Sequence, residues 1–264
     1  MSRRREGRTA LPAVLLAALA IGCSIAATGS TYVTQTLVIR GQTQTLHTYG
    51  RRGGSPVIVS SGDGGWVHLG PHIADVLAAH GFFVVGFDVK GYLAGFTSAT
   101  GPLRPEDVPG DYRVLLDYAA SRVSVRPVLV GVSEGAGLSV LAAADPRVHA
   151  AAAGVVGVGL PQVNELGWRW RDSLIYVTHT VPNEPTFTAT SFVSRVAPLP
   201  LAAIRSTHDA FVTSDDTARI VAAAAEPKRL WTIDAADHGF SNNLGEFDTR
   251  LLEALDWVHE RAAH

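Results

Sequence analysis

The sequence predicts one α/β domain built on a mostly parallel sheet, with helices on both faces and a small cap-like insertion. Three observations predict it. Short, continuously apolar runs (PVIVS at 56–60, FFVVGFD at 82–88, PVLVGV at 127–132) read as strands buried on both faces. Stretches with helical periodicity separate these runs, and a pair of segments alternating polar and β-branched residues precedes them. Composition agrees. The 264 residues are 47% hydrophobic and 17% charged, enough to fill a large core and far from the composition of disordered chains, repeats or coiled coils. With 22 Lys+Arg against 24 Asp+Glu, the net charge of -2 offers no general attraction to nucleic acid. A single cysteine excludes an internal disulfide and a cysteine-based zinc site, and neither a metal nor an organic cofactor is implied.

The chain opens on an export signal, residues 1–22. Arg3, Arg4, Arg5 and Arg8 form a basic n-region, and Ala10 to Gly22 forms an apolar h-region of 13 residues, short for a membrane span. Ala20-Ile21-Gly22 before Cys23 resembles a lipobox, in which the cysteine is lipidated and becomes a membrane tether. Ordinary cleavage after Ala26 or Ala27, which removes Cys23, is the second route, and a retained N-terminal anchor the third. Each puts the domain outside the cytoplasm, in the periplasm, on the envelope or secreted. Losing Met1 to Gly22 removes four arginines and one glutamate, leaving 18 basic against 23 acidic residues and a net charge of -5. Residues 23–30 read as a linker to a domain spanning 31–264. No second apolar stretch reaches the roughly 18 uncharged residues that a spanning helix needs.

Within the domain, Thr31 to Arg40 and Gln42 to Arg52 alternate around Gly41 as a β-hairpin. Strand 56–60 leads through a Gly-rich turn to a helix over His72 to His80. Strand 82–88 precedes a helix over Asp111 to Arg122, and strand 127–132 precedes one over Gly135 to Ala144. Strands follow in Ala150 to Val158, at Leu199 to Ser206 and at Arg229 to Ile233. Helices over Thr217 to Ala225 and Phe247 to Ala262 complete the pattern. Antiparallel strands followed by β/α units is the element order of the α/β-hydrolase fold. Residues 160–198 are too long for an ordinary connection and rich in aromatics, which reads as a cap or pocket wall; a peripheral excursion is the plainer alternative.

The chemistry begins at Gly131-Val132-Ser133-Glu134-Gly135. This G-x-S-x-G lies between an apolar strand and a helix, where a sharp turn needs small residues two before and two after the serine. Ser133 then stands exposed above the sheet, with the positive end of a helix behind it. A serine hydroxyl needs a base, and the base an orienting acid. His238, just after the last strand, and Asp209, just after the preceding one, supply them in the order Ser, Asp, His. His208 is the nearest competing histidine, and Asp215, Asp216 and Asp237 are alternative acids, although Asp237 adjoins the base and is poorly placed to reach around to its far nitrogen. The turn Ser61-Gly62-Asp63-Gly64-Gly65-Trp66 allows backbone N–H groups of Asp63 or Gly64, with that of Glu134, to form an oxyanion hole. The same turn lacks the lysine and spacing of phosphate-binding loops.

SGDGGW followed by a helix (HIADVLAAHG), then FFVVGFDVKGYL, then the elbow, resembles the bacterial VirJ/AcvB group of the α/β-hydrolase superfamily over roughly residues 56–140. Members of that group are exported and associated with hydrolysis of lysyl-phosphatidylglycerol and with virulence secretion systems. The resemblance implies Ser133 as nucleophile beside the Ser61 to Trp66 turn.

Candidate substrate contacts are Trp66 in that turn, Tyr92 in the loop after strand 82–88, and Trp168 and Trp170, which alternate with Arg169 and Arg171. Aromatics pack on lipid and arginines meet phosphate, whereas Glu165, Asp172 and Glu184 suit an ammonium group, as does Glu134 beside the nucleophile. An ordinary strand with one buried face accounts for the Trp/Arg alternation equally well. The expectation is an exported serine esterase acting on a small-molecule or lipid ester. Its rival is a non-catalytic envelope protein that uses the same fold to bind a secretion-system partner.

Overall fold

The alternation of residues 33–49 folds as a hairpin in the computed structural model, which describes residues 32–121, 123–170 and 184–263. The signal segment 1–22, Cys23 and the linker 23–30 lie outside the described residues, as do Arg122, Arg171 and Asp172. Strands β1 (Val33–Ile39) and β2 (Gln42–Tyr49) pair antiparallel around Arg40 and Gly41. The chain continues through β3 (Pro56–Ser60), α1 (Leu69–Ala79), β4 (Phe83–Phe87), α2 (Val89–Ala99), α3 (Val108–Ala120), β5 (Val128–Val132) and α4 (Glu134–Ala143). A short α5 (Pro146–His149) leads to β6 (Gly154–Val158), the hairpin β7 (Val163–Glu165) and β8 (Thr186–Thr188), and two 3-10 turns. The last elements are β9 (Leu201–Ser206), α6 (Ser214–Ala223), β10 (Lys228–Ile233) and α7 (Leu244–Ala262).

Eight strands form the main sheet in the order β1-β2-β4-β3-β5-β6-β9-β10. Only β1 with β2 and β2 with β4 run antiparallel; the rest are parallel. The central strands are buried throughout because helices cover both faces. Successive residues point to opposite faces, so each strand feeds two cores. Val57, Val59, Val84, Val130 and Val156 pack with Ile73 and Leu77 of α1 and with Phe247, Leu251 and Leu255 of α7. Ile58, Val85, Leu129 and Val155 pack with Tyr92, Phe96, Tyr112, Leu115 and Leu141 from α2, α3 and α4. At roughly 1.5–3 kcal/mol for each fully buried large apolar side chain, these two cores dominate stability.

Helix α2 was not expected from the sequence. Gly91, Gly95, Thr97 and Ser98 lower its helix propensity. It forms because Asp88 caps it, accepting the Gly91 N–H at 3.1 Å, and because Tyr92, Leu93 and Phe96 are buried. Residues 160–198 hold the β7–β8 hairpin, a sheet separate from the main one, between β6 and β9. Among the described residues, no helix is long and apolar enough to cross a membrane.

Candidate active site

The parallel strands β3, β5, β9 and β10 end on the same side of the sheet, and the loops after them meet there. Ser133 terminates β5 with φ 50° and ψ -117°, a conformation that costs a non-glycine residue free energy and that the surroundings must enforce. They do so from two sides. The Ser133 N–H donates to Val158 O of β6 at 2.8 Å, while the Ser133 carbonyl accepts the N–H of Ala136 at 2.8 Å. The flanking glycines are sterically required. A Cβ at Gly131 would collide with the Gly135 carbonyl and Ala136, and one at Gly135 with the carbonyls of Ser60 and Ser61. The elbow is therefore wedged between its own helix and the end of β3.

The turn after β3 lies directly on Ser133. A Cβ at Gly62 would sit 3.4 Å from Ser133 Cβ, and the Gly65 N–H closes the turn onto Gly62 O at 3.1 Å. Gly62, Asp63, Gly64, Ser133 and Glu134 line one cleft of about 620 Å³. Glu134 is the first residue of α4, so its N–H belongs to the helical turn that lacks intrahelical acceptors.

His238 closes the far side of this cleft. Its Nδ1 lies 2.5 Å from Asp209 Oδ2, and because a carboxylate only accepts, the ring donates there. The Asp209 side chain is 3% exposed, and its Oδ1 accepts the N–H groups of Phe211 and Val212, each at 2.8 Å. Burial pushes this carboxyl up, but the His238 hydrogen bond and charge, with the two amides, outweigh it and hold it below the usual carboxylate range. His238 Nε2 is buried without a hydrogen-bond partner, so no hydrogen bond joins it to Ser133 in this structure. Asp237, Asp216 and His208, three of the alternatives, have other partners. Asp237 accepts the N–H groups of Gly239 and Ser241 and shapes the histidine loop, Asp216 pairs with Thr213 and Arg219, and His208 bonds to Thr207.

The four aromatic residues expected at the substrate lie elsewhere. Trp66 turns away from the cleft, donating Nε1 to Tyr49 Oη at 3.2 Å, stacking on His47 and lying over Gly86, where no side chain blocks it. Tyr92 is fully buried in α2 and donates to Asp111 Oδ2 at 2.6 Å. Trp168 is half-buried against the core, with Lys90 over its ring, and Trp170 is 68% exposed; neither lines the cleft. Glu184 is buried and paired with Arg169, and Glu134 turns its carboxyl to the Glu165 N–H. The cleft lining includes Glu165, an expected ammonium contact, and Asp216, an alternative acid, together with Val67, Leu69, Val163 and Phe211, to which the sequence assigned no site role. Val67, Val163 and Phe211 are 47%, 45% and 50% exposed, an apolar rim drawn from two loops and the start of β7. For Val67 and Phe211 the sequence signal was an apolar residue within an otherwise polar loop. Past His238 the cleft continues into a second cavity lined by Leu69, His72, Phe211 and Leu244.

Comparison with known proteins agrees with this architecture. Residues 55–162 match the family of the bacterial virulence protein VirJ. No curated protein sequence matches the chain. Among solved structures, the α/β hydrolase GrgF from Penicillium sp. sh18 superposes with a TM-score of 0.66 at 14% identity, covering 89% of this chain and 100% of that one. Est1E from Butyrivibrio proteoclasticus gives 0.61 at 12% identity over 88% and 99% of the two chains. A dienelactone hydrolase from Anabaena variabilis ATCC 29413 gives 0.60 at 16% identity over 85% and 96%. The chain thus has the α/β-hydrolase fold and, across its first β/α units and the elbow, resembles VirJ.

Proposed function

We propose that this protein is an exported serine hydrolase that cleaves carboxylic esters through an acyl-serine intermediate. The observation that carries the reading is the placing of a strained serine and an aspartate-bound histidine, its other nitrogen unpartnered, on one cleft. Ser133 Oγ attacks the ester carbonyl and its proton passes to His238 Nε2, while Asp209 holds the ring and offsets the charge it gains. The carbonyl oxygen becomes an oxyanion facing the N–H groups of Glu134 and of Asp63 or Gly64, each such donor being worth roughly 2.7 to 4 kcal/mol. Collapse breaks the ester bond, and His238 returns the proton to the departing alcohol. Water then attacks the acyl-serine with the same base, releasing the acid and restoring Ser133.

Within that reaction class, the substrate we propose is a membrane lipid ester such as aminoacylated phosphatidylglycerol. The half-exposed Val67, Val163 and Phe211 at the mouth suit acyl chains, and the acidic Asp63 and Glu165 along the cleft suit an ammonium group. The VirJ match and the signal-like residues 1–22 support the same reading, with Cys23 as the lipid attachment point.

Ser133→Ala is expected to lower ester turnover by roughly 10⁶-fold with an unchanged melting temperature, and a fluorophosphonate probe is expected to label Ser133 in the wild type. Turnover that survives the substitution sinks the mechanism. A folded protein that never labels favours an envelope-binding role. Turnover measured across esters that include aminoacylated phosphatidylglycerol tests the substrate.

A further inference from the structure

Glu134 directly follows the nucleophile, and with Asp111 and Glu184 it is one of three acidic residues buried among those described. Burying a carboxyl is unfavourable unless hydrogen bonds compensate, so its partner identifies its role. Glu134 Oε1 accepts the backbone N–H of Glu165 at 2.6 Å, joining the first residue of α4 to the last residue of β7. The preceding residue of β7, Asn164, is fully buried and lies on Gly137, where any side chain would collide with its carboxamide. Asn164 Nδ2 in turn donates to Pro161 O at 3.0 Å, bracing the approach to the strand. Positions 134 and 137 are neighbours on one face of a helix, so two successive residues of β7 dock on adjacent sites of α4. The docked segment, with Pro161, Gln162, Val163 and Glu165, is also a wall of the cleft.

We infer that Glu134 is a positioning residue: its carboxyl fastens β7 to the first turn of α4, setting the cleft wall and the aim of its own backbone N–H at the oxyanion. The catalytic half of this inference rests on the serine-hydrolase reading; the tether does not. The electrostatics are compatible with it. Burial, together with the nearby charges of Glu165 and Asp63, pushes the Glu134 carboxyl well up despite the bond from the Glu165 amide. Tyr112 of α3, buried and donating to Ser60 Oγ, feels the Glu134 carboxyl electrostatically.

The test compares full-length wild type, Glu134→Gln and Glu134→Ala. Amide hydrogen exchange at residues 163–166 is expected to quicken at least roughly 10-fold in Glu134→Ala, with β5 and β6 unchanged. Glu134→Gln keeps an acceptor oxygen of the same reach and is expected to recover most of that protection. On a short-chain ester, Glu134→Ala is expected to lose roughly 10- to 100-fold in kcat with a smaller change in KM, again largely recovered by Gln. Unchanged exchange in Glu134→Ala, or no recovery in Glu134→Gln, overturns the tether. Quickened exchange with an undiminished kcat overturns the aiming role. If Glu134→Ala does not fold, Gly137→Ala provides the second route: by displacing Asn164 it is expected to loosen the same amides and lower kcat, and an unaltered protein there overturns the proposal. A wild type that neither turns over esters nor labels at Ser133 removes the hydrolase reading and the catalytic half with it, while exchange still decides the tether.

Discussion

Asp209 and Asp111 both have buried side chains and both hold a basic partner, yet the two clusters differ in kind. Asp111 accepts Nε and Nη2 of Arg40 at 2.7 and 2.8 Å and Tyr92 Oη at 2.6 Å. Arg40 also lies over the Phe96 ring at 4.0 Å, so the cluster pins the turn between β1 and β2 to α2 and α3. A guanidinium does not release its proton at any working pH, and every donor aimed at Asp111 is fixed. Asp209 instead holds an imidazole, whose second nitrogen has no partner and stands at the cleft that Ser133 lines. A buried carboxylate with its partner is thus structural when the partner is a permanent cation. It fits the proposed proton transfer when the partner exchanges protons and presents an unpaired atom to a cavity beside a serine.

Substitutions at the two aspartates sharpen this contrast. Asp209→Asn is expected to lower kcat about 10⁴-fold, because the amide no longer fixes the histidine tautomer, with little change in fold by circular dichroism. The same variant tests the pH sign. The Asp209 carboxyl is held below its ordinary value, so its contribution is complete above the usual carboxylate range and is lost as pH falls through the folded value. The stability difference between wild type and Asp209→Asn in urea titrations is therefore expected to shrink between pH 7 and pH 3; a constant difference breaks the assignment.

Asp111→Ala is expected to cost about 2–4 kcal/mol in stability, less than a fully buried pair because the Arg40 side chain is 39% exposed. Its kcat/KM is expected to stay within about 3-fold of wild type, since the cluster does not touch the cleft. The smallest effect is at Tyr92→Phe, which removes one hydrogen bond and leaves the packing: about 1 kcal/mol by thermal melting and no change in KM for any ester. A KM change there returns Tyr92 to the substrate and erases the difference between the clusters.

The elbow was legible in the sequence because its requirements are local. Gly131 and Gly135 are dictated by atoms within a few residues and by the adjacent end of β3, and the apolar run before Ser133 and the helix after it are contiguous with it. The Asp209–His238 pair was legible through order and position, since each follows a parallel strand whose end faces the same side. Helix α2 was not, because its glycines and hydroxylated residues argue against a helix and only burial of Tyr92, Leu93 and Phe96 reverses that. With α2 unseen, Tyr92 was assigned to a loop at the pocket. Trp66 failed for another reason: whether a ring at a turn points into a cleft or back over the sheet depends on the space above Gly86, on a strand distant in sequence.

Sequence alone determined the α/β order, the sharp G-x-S-x-G turn at Ser133 and the chain order in which candidate acids and a histidine follow it. These follow from burial period, from sterics at a sharp turn and from the chemistry a serine needs. Tertiary structure alone decided which aspartate reaches the histidine, which aromatics face the cleft, and that the Glu134 side chain binds the insertion rather than a ligand. Those outcomes depend on contacts between separate elements, such as Asp209 with His238, Trp66 with Tyr49 or Glu134 with Glu165. The direction of a side chain in such contacts is set by the shape of the space left by other elements, which no local pattern encodes.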